Sequence, residues 1–125
     1  MTVDNIIENF NETIKVINEA KEKYMGELNE MISKVNDINA KMVNAEAAVK
    51  KKLENEKQKL EKKIESFKQK VEEYIKKQTE IATEKMNSQK EKLLDELAKQ
   101  ELEKKEQEIK NKAEMLKQKM KKMIP

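Results

Sequence analysis

The apolar residues in the second half of this chain recur every eleven residues. Each repeat holds two apolar residues four positions apart, and the five pairs are Val49/Leu53, Leu60/Ile64, Val71/Ile75, Ala82/Met86 and Leu93/Leu97. Eleven residues complete about three helical turns at roughly 3.67 residues per turn, so the apolar stripe stays on one side of a helix and winds slightly right-handed. The spacing predicts a long amphipathic helix over residues 49–97 that packs against another helix.

The first segment of the chain keeps a seven-residue repeat instead. Its two core positions are apolar throughout residues 3–49, with Lys21 as the one polar exception. A sustained heptad imposes a left-handed supercoil on packed helices. Val49 belongs to both patterns, so the two stripes join there without a gap. The residues predicted to form the helix–helix interface are Ile7, Phe10, Ile14, Ile17, Tyr24, Leu28, Val35, Ile38, Val49, Leu53, Leu60, Ile64, Val71, Ile75, Leu93 and Leu97.

Two further segments follow the eleven-residue repeats. Residues 98–108 are almost wholly polar, which predicts a break in the apolar stripe. Residues 109–125 return to helical apolar spacing with an excess of lysine, a pattern typical of a basic amphipathic helix. The chain thus divides into a heptad segment (1–49), an eleven-residue-repeat segment (49–97), a polar break (98–108) and a basic tail (109–125). In the tail, the residues predicted to contact an anionic partner, lipid or nucleic acid, are Lys117, Lys119, Lys121 and Lys122.

The near absence of helix breakers favours one long helix. The chain has 125 residues, with Gly26 and Pro125 as its single glycine and single proline. The sequence therefore predicts an all-α protein whose long helix forms a parallel coiled coil. The alternative is a monomeric three-helix bundle in which the chain folds back at residues 36–39 and 87–88.

The charge distribution and the apolar periods disagree about the direction of pairing. Residues 1–48 carry a net charge of −4 and residues 49–125 a net charge of +7, which favours antiparallel packing. Antiparallel packing would, however, set a seven-residue stripe against an eleven-residue stripe. A buried Leu or Ile contributes about 1.5–3 kcal/mol, whereas an exposed ion pair contributes only tenths. On these magnitudes the parallel arrangement is predicted.

The composition argues against an enzyme. Charged residues make up 42% of the chain, and both Cys and His are absent, so thiolate and imidazole ligands and the usual nucleophile–base pairs are missing. The many carboxylates fall on predicted solvated faces beside lysines. We expect no catalytic site, metal, cofactor or small-molecule substrate. All 28 basic residues are Lys, and without the planar fork of Arg sequence-specific nucleic-acid recognition is disfavoured.

The predicted helix also limits the function classes. No stretch approaches the roughly 20 apolar residues of a membrane span, and the first residues lack a basic region followed by an apolar core, so we expect a cytoplasmic protein. A single rod cannot cover its own apolar stripe, so we expect a homo-oligomer or a coiled-coil partner, and a stalk, spacer or scaffold function. Two other classes stay open: an amphipathic lipid-surface protein, and a virion or nucleoid component that binds polyanions through the lysine-rich second half.

Overall fold

The computed structural model describes residues 3–93 and 95–124, with Val3 described in its backbone alone. These residues form three α-helices and no strand: α1 is Val3–Met42, α2 is Ala47–Lys90 and α3 is Glu96–Lys121. Each helix packs against the other two. The all-α prediction is confirmed, and the arrangement is consistent with the three-helix-bundle alternative. Parts of the predicted segments, namely Met1, Thr2, Leu94 and Pro125, lie outside the described residues.

The prediction of a single long helix is wrong, because the chain turns back twice. After Met42 the chain forms a turn over residues 43–46, in which the Ala45 amide donates a hydrogen bond to the Met42 carbonyl oxygen at 3.4 Å. This turn lies one heptad after the predicted 36–39 site and directly before Val49, where the apolar period changes. The change of period therefore coincides with a new helix, and a parallel coiled coil is not shown.

The second change of direction lies between α2 and α3, a few residues beyond the predicted 87–88 site, where the structure describes residues 91–93 and 95. The Asp95 side chain caps α3 by accepting a hydrogen bond from the Leu97 amide at 3.0 Å. Glu96 adds a carboxylate in the first turn, where the helix dipole favours negative charge. The segment 98–108, predicted to break the apolar stripe, lies inside α3, and Leu102 within it is fully buried.

Two apolar clusters fill the inside of the bundle. The lower cluster joins the start of α1 to the end of α2 and the start of α3, and it contains Ile6, Phe10, Ile14, Ile17, Ala82, Met86, Leu102 and Ile109. The upper cluster lies further along α1 and α3 and earlier in α2, and it contains Ala20, Leu28, Val35, Ile64, Val71, Ile75, Leu116 and Met120. Residue numbers rise together in α1 and α3 and fall in α2. Helix α3 therefore runs parallel to α1, and α2 runs antiparallel to both.

Helix α3 is shorter than the two helices on which it packs. It has 26 residues, against 40 in α1 and 44 in α2. At 1.5 Å per residue α2 is about 66 Å long and α3 about 39 Å, so the α1–α2 hairpin projects beyond the end of α3. None of residues 47–63 is buried, whereas the rest of α2 supplies six buried residues from Ile64 to Met86. The protein therefore has a three-helix body and a two-helix tip, which in α2 comprises residues 47–63.

Candidate functional site

The candidate site is the set of contacts between the helices. The structure places the predicted interface residues mainly between helices of one chain. Nine of them are buried, namely Phe10, Ile14, Ile17, Leu28, Val35, Ile38, Ile64, Val71 and Ile75. Five are half-buried, namely Ile7, Tyr24, Leu53, Leu60 and Leu93. Among these five, Ile7 and Leu93 pack against the lower cluster, while Tyr24 and Leu60 pack against the upper cluster.

Val49 and Leu97 are not brought into the interior. Val49 is 47% exposed and Leu97 is 75% exposed. Val49 lies in the two-helix tip, which α3 does not reach. Leu97 lies in the first turn of α3, directly after the chain has changed direction. An apolar period indicates a common face only within one helix, so Leu97 loses its predicted place once the helix is divided. Val49 shares α2 with the other repeats and is exposed because α3 does not extend to its end of the hairpin.

Sequence reasoning missed what α3 contributes to the interior. Leu102, Ile109, Leu116 and Met120 are all at most 2% exposed, although they lie in the predicted polar break and basic tail. Their spacings of seven, seven and four residues form an amphipathic helix pattern. Asp95 followed by Glu96 is a helix-start signal just before that pattern. Together these two signals locate α3 in the sequence.

Lys68 is a buried charge that the sequence analysis did not single out, and it is the sole buried charged side chain in the described part of the chain. Its Nζ donates a hydrogen bond to the carbonyl oxygen of Met123 at 2.5 Å and lies 3.8 Å from Glu65 Oε1. Met123 lies just beyond the C-cap of α3, so this hydrogen bond attaches the chain that leaves α3 to α2 and gives a backbone carbonyl a partner. Its spacing from Ile64 and Val71, which places it on the apolar face of α2, is the signal that identifies it.

Polar contacts also connect α3 to both other helices. Lys90 Nζ lies 2.7 Å from Glu103 Oε1 and joins α2 to α3. The hydrogen bond to Glu103 raises the pKa of Lys90 above its ordinary value of 10.5; the charges of Glu103 and Glu106 act in the same direction, and desolvation acts against them. Lys105 Nζ donates to Asn11 Oδ1 at 3.4 Å and joins α3 to α1.

An open groove runs along the outside of α2 and α3. Ile75, Leu116 and Met120 form part of its lining, and charged side chains such as Glu72 and Lys110 edge it. Its volume is about 560 Å³. Across residues 3–93 and 95–124, no three His, Cys, Asp or Glu side chains come together in a way that could hold a metal ion. Within the same ranges no helix combines the length and apolar character needed to cross a membrane.

The lysines predicted to contact an anionic partner lie in and just after the last turns of α3. Lys119, Lys121 and Lys122 are exposed, and Lys117 is half-buried where it lines the α2–α3 groove. Two apolar residues of the same segment, Leu116 and Met120, belong to the upper cluster with residues of α1 and α2, whereas Met115 and Ile124 are exposed. The apolar face of this helix is therefore occupied inside the bundle.

The three helices differ in net charge. Counted from the sequence over its helical bounds, α1 carries −3, α2 carries +5 and α3 carries +2. Helix α1 therefore packs against two helices of opposite sign. No protein-family model, curated protein or solved structure matches this sequence. Function is accordingly inferred from the arrangement of the residues alone.

Proposed function

We propose that this protein is a non-enzymatic structural protein that acts as a spacer or scaffold through helix–helix contacts. The single observation that carries the proposal is the content of the interior: within the described ranges, every buried side chain except Lys68 is apolar. Lys68 is itself engaged at the end of α3. The interior is therefore devoted to holding three helices together.

The surface supports the same proposal. Enzymes place titratable groups in concave sites that remove them from water and shift their pKa values. Here the α2–α3 groove is open and edged by both signs of charge, as Glu72 and Lys110 illustrate. Such a rim is typical of the solvated edge of a helix–helix contact.

The dimensions favour a spacer. The ends of α2 are about 66 Å apart at 1.5 Å per residue, and α2 is supported by α1 over most of this length. The turn at residues 43–46 and the junction between α2 and α3 after Lys90 therefore lie at opposite ends of one elongated body. Association with a second chain or a helical partner uses outer faces, since the inner stripes are already occupied.

The lipid-surface alternative requires a different state of the chain. An amphipathic helix binds lipid by burying its apolar face in the headgroup region. Leu116 and Met120, two of the apolar residues beside the tail lysines, are at most 2% exposed, whereas Met115 is 70% and Ile124 71% exposed. Binding through this face therefore requires the bundle to open, which gives an experiment that separates the two functions.

Two pairs of spin labels test the proposal, and the absence of Cys from the chain makes both simple to introduce. Labels at Asn44 and Lys92 report the length of α2, and we expect a narrow distance distribution near about 70 Å. Labels at Asn18 and Glu108, which line one cleft between α1 and α3, report whether the bundle is closed.

We expect both distances to stay unchanged when vesicles containing anionic lipid or duplex DNA are added, with neutral vesicles as the control. A longer Asn18–Glu108 distance with anionic vesicles would contradict the spacer and support the lipid-surface function. A broad Asn44–Lys92 distribution in buffer would contradict a rigid spacer of any kind.

A further inference from the structure

Three aromatic side chains meet where α1 and α2 pack, at the edge of the upper cluster. The Tyr24 ring lies between Phe67 and Tyr74, with centroid distances of 5.9 Å and 6.0 Å and nearly perpendicular planes in both pairs. These are three of the four aromatic residues of the chain, and the fourth, Phe10, is buried in the lower cluster. Tyr74 is 37% exposed. Tyr24 and Phe67 are half-buried against the upper cluster, so Tyr74 forms the exposed edge of the group. Aromatic residues are enriched at the centres of protein interfaces, so this edge is a candidate contact surface.

Two exposed aliphatic residues extend this aromatic group. Because Tyr24 contacts both Phe67 and Tyr74, it lies near the height of residues 70–71 of the antiparallel α2. Val16, eight residues earlier in α1, therefore lies near the height of residues 78–79, within one turn of Ile81. Val16 is 36% exposed and Ile81 is 48% exposed. We call Val16, Tyr24, Phe67, Tyr74 and Ile81 the outer patch.

The outer patch lies on the side of the hairpin away from α3. On α1, Asn18 lines the cleft with α3, and Val16, two residues earlier, is about 200° away around the helix. On α2, Lys76 lines the groove with α3, and Tyr74 is separated from it by the same angle. Helix α3 therefore leaves the outer patch uncovered.

We propose that a second copy of this chain docks on the outer patch, with its own outer patch facing the first. The proposal rests on the structural function proposed above and names its partner. In the proposed pair the two copies are related by a two-fold axis parallel to the helices. Such a rotation keeps the position of every residue along the helix axis but exchanges the two sides of the interface, so α1 of each copy lies against α2 of the other. The interface is then a four-helix contact with the aromatic residues at its centre.

Charge selects this pair over the alternative two-fold arrangement. An axis across the helices would set α1 against α1, both −3, and α2 against α2, both +5. The axis parallel to the helices instead sets α1, with a net charge of −3, against α2 of the other copy, with a net charge of +5, and does so on both sides of the interface. Complementary charge at an interface fixes its register and disfavours wrong pairings, even where each exposed pair contributes little affinity.

Glu27 and Lys70 are the charged residues expected to meet across this interface. Glu27 lies one turn after Tyr24 in α1, and Lys70 lies at the height of Tyr24 in α2. Both side chains are exposed, and neither forms an ion pair within residues 3–93 and 95–124. In the proposed pair Glu27 of each copy faces Lys70 of the other.

Sedimentation equilibrium at protein concentrations from micromolar to millimolar tests the proposal. We expect a monomer–dimer equilibrium, and we expect Ile81→Glu to raise the dimer Kd by about tenfold or more, because a charge replaces an apolar contact. Leu97→Glu and Met115→Glu are matched controls, since both residues are large, apolar and at least 70% exposed but lie on α3. They should leave the Kd unchanged.

A charge exchange tests the arrangement itself. Glu27→Lys and Lys70→Glu should each weaken the dimer, and the double variant should restore it. A chain that stays monomeric throughout the range, equal effects at Ile81 and Leu97, or no recovery in the double variant would overturn the proposal. A monomer whose Asn44–Lys92 and Asn18–Glu108 distances are as expected would overturn the dimer alone and leave the spacer function standing.

Discussion

The Lys68 ammonium group, buried in α2, donates a hydrogen bond to the Met123 carbonyl oxygen just beyond α3 at 2.5 Å. We expect Lys68→Met to keep most of the packing of the aliphatic stem but to leave this carbonyl without its partner. The free energy of unfolding should fall by about 1 kcal/mol, and the last turn of α3 should fray. The measurement is amide hydrogen exchange at Met123, whose N–H donates to Met120 at 3.1 Å.

Lys62→Met is the matched control, since Lys62 lies in the same helix and is exposed. Its exchange profile at the end of α3 should equal that of the unmodified chain. Equal exchange at Met123 in the Lys68 and Lys62 variants would show that the contact does not hold α3 in place.

Leu102 and Leu97 give a second test, because the same substitution should change the free energy of unfolding by very different amounts at these two nearby positions of α3. Leu102 is fully buried and Leu97 is 75% exposed. In urea denaturation we expect Leu102→Ala to lower the free energy of unfolding by about 2–5 kcal/mol and Leu97→Ala to change it by less than about 0.5 kcal/mol. The continuous eleven-residue stripe predicts the reverse order, so the sign of the difference decides between the two folds.

Gly26 offers a stabilising substitution. It lies inside α1 and is exposed, and a Cβ atom added there would meet no atom within 4 Å. Gly26→Ala should therefore raise the free energy of unfolding by about 0.5–1 kcal/mol through lower backbone entropy of the unfolded chain. Thermal unfolding monitored by circular dichroism measures the change. An unchanged or lower midpoint would mean that α1 is not helical at this position or is covered there.

The ion pair between Lys90 and Glu103 predicts a pH dependence. Folding raises the pKa of Lys90 above 10.5, so the folded state favours the protonated form. The stabilisation is therefore fully present below the unfolded pKa and is lost as the pH rises through the folded pKa. We expect the stability difference between the unmodified chain and Lys90→Gln to be constant through neutral pH and to disappear once the pH has risen through the raised pKa of folded Lys90. Lys92→Gln, in the neighbouring turn, is the control. The other lysines titrate in both variants, so the difference between the two variants isolates the contribution of Lys90.

The apolar periods do not locate the places where the chain turns, although much of the stripe that they mark on α1 and α2 lies inside the bundle. Ile14, Leu28, Ile64 and Val71 were all predicted in the interface, and all are buried. A helix face is set by residues a few positions apart, so local spacing is enough to identify it. Asn44 lies in a turn without Gly or Pro, and no strong breaker marks it in the sequence. The change of period at Val49 was the available sign of a new helix.

The direction of packing follows from the turn rather than from charge. Helices α1 and α2 are joined by the four-residue turn 43–46 and run antiparallel, as the two helices of an αα-hairpin do. Charge does not decide the direction, because α2 and α3 are both positive and α3 runs parallel to α1. The objection that a seven-residue stripe cannot match an eleven-residue stripe assumed contact along the full length of two helices. In the structure α3 fills one side of the α1–α2 groove, and the tip at residues 47–63 contains no buried residue. The stripes therefore need to match only over the body of the bundle.

The intrachain distance between Asn11 and Lys105 tests the fold most directly. The Lys105 ammonium group donates to the Asn11 side chain at 3.4 Å, so spin labels at these two positions should lie on neighbouring helices whose axes are about 8–10 Å apart. Dilution of the labelled chain with excess unlabelled chain restricts the signal to pairs within one molecule. The three-helix bundle predicts a short distance that does not change on dilution. A single continuous helix would separate the labels by about 140 Å and give no short distance, and that result would contradict the fold and everything inferred from it.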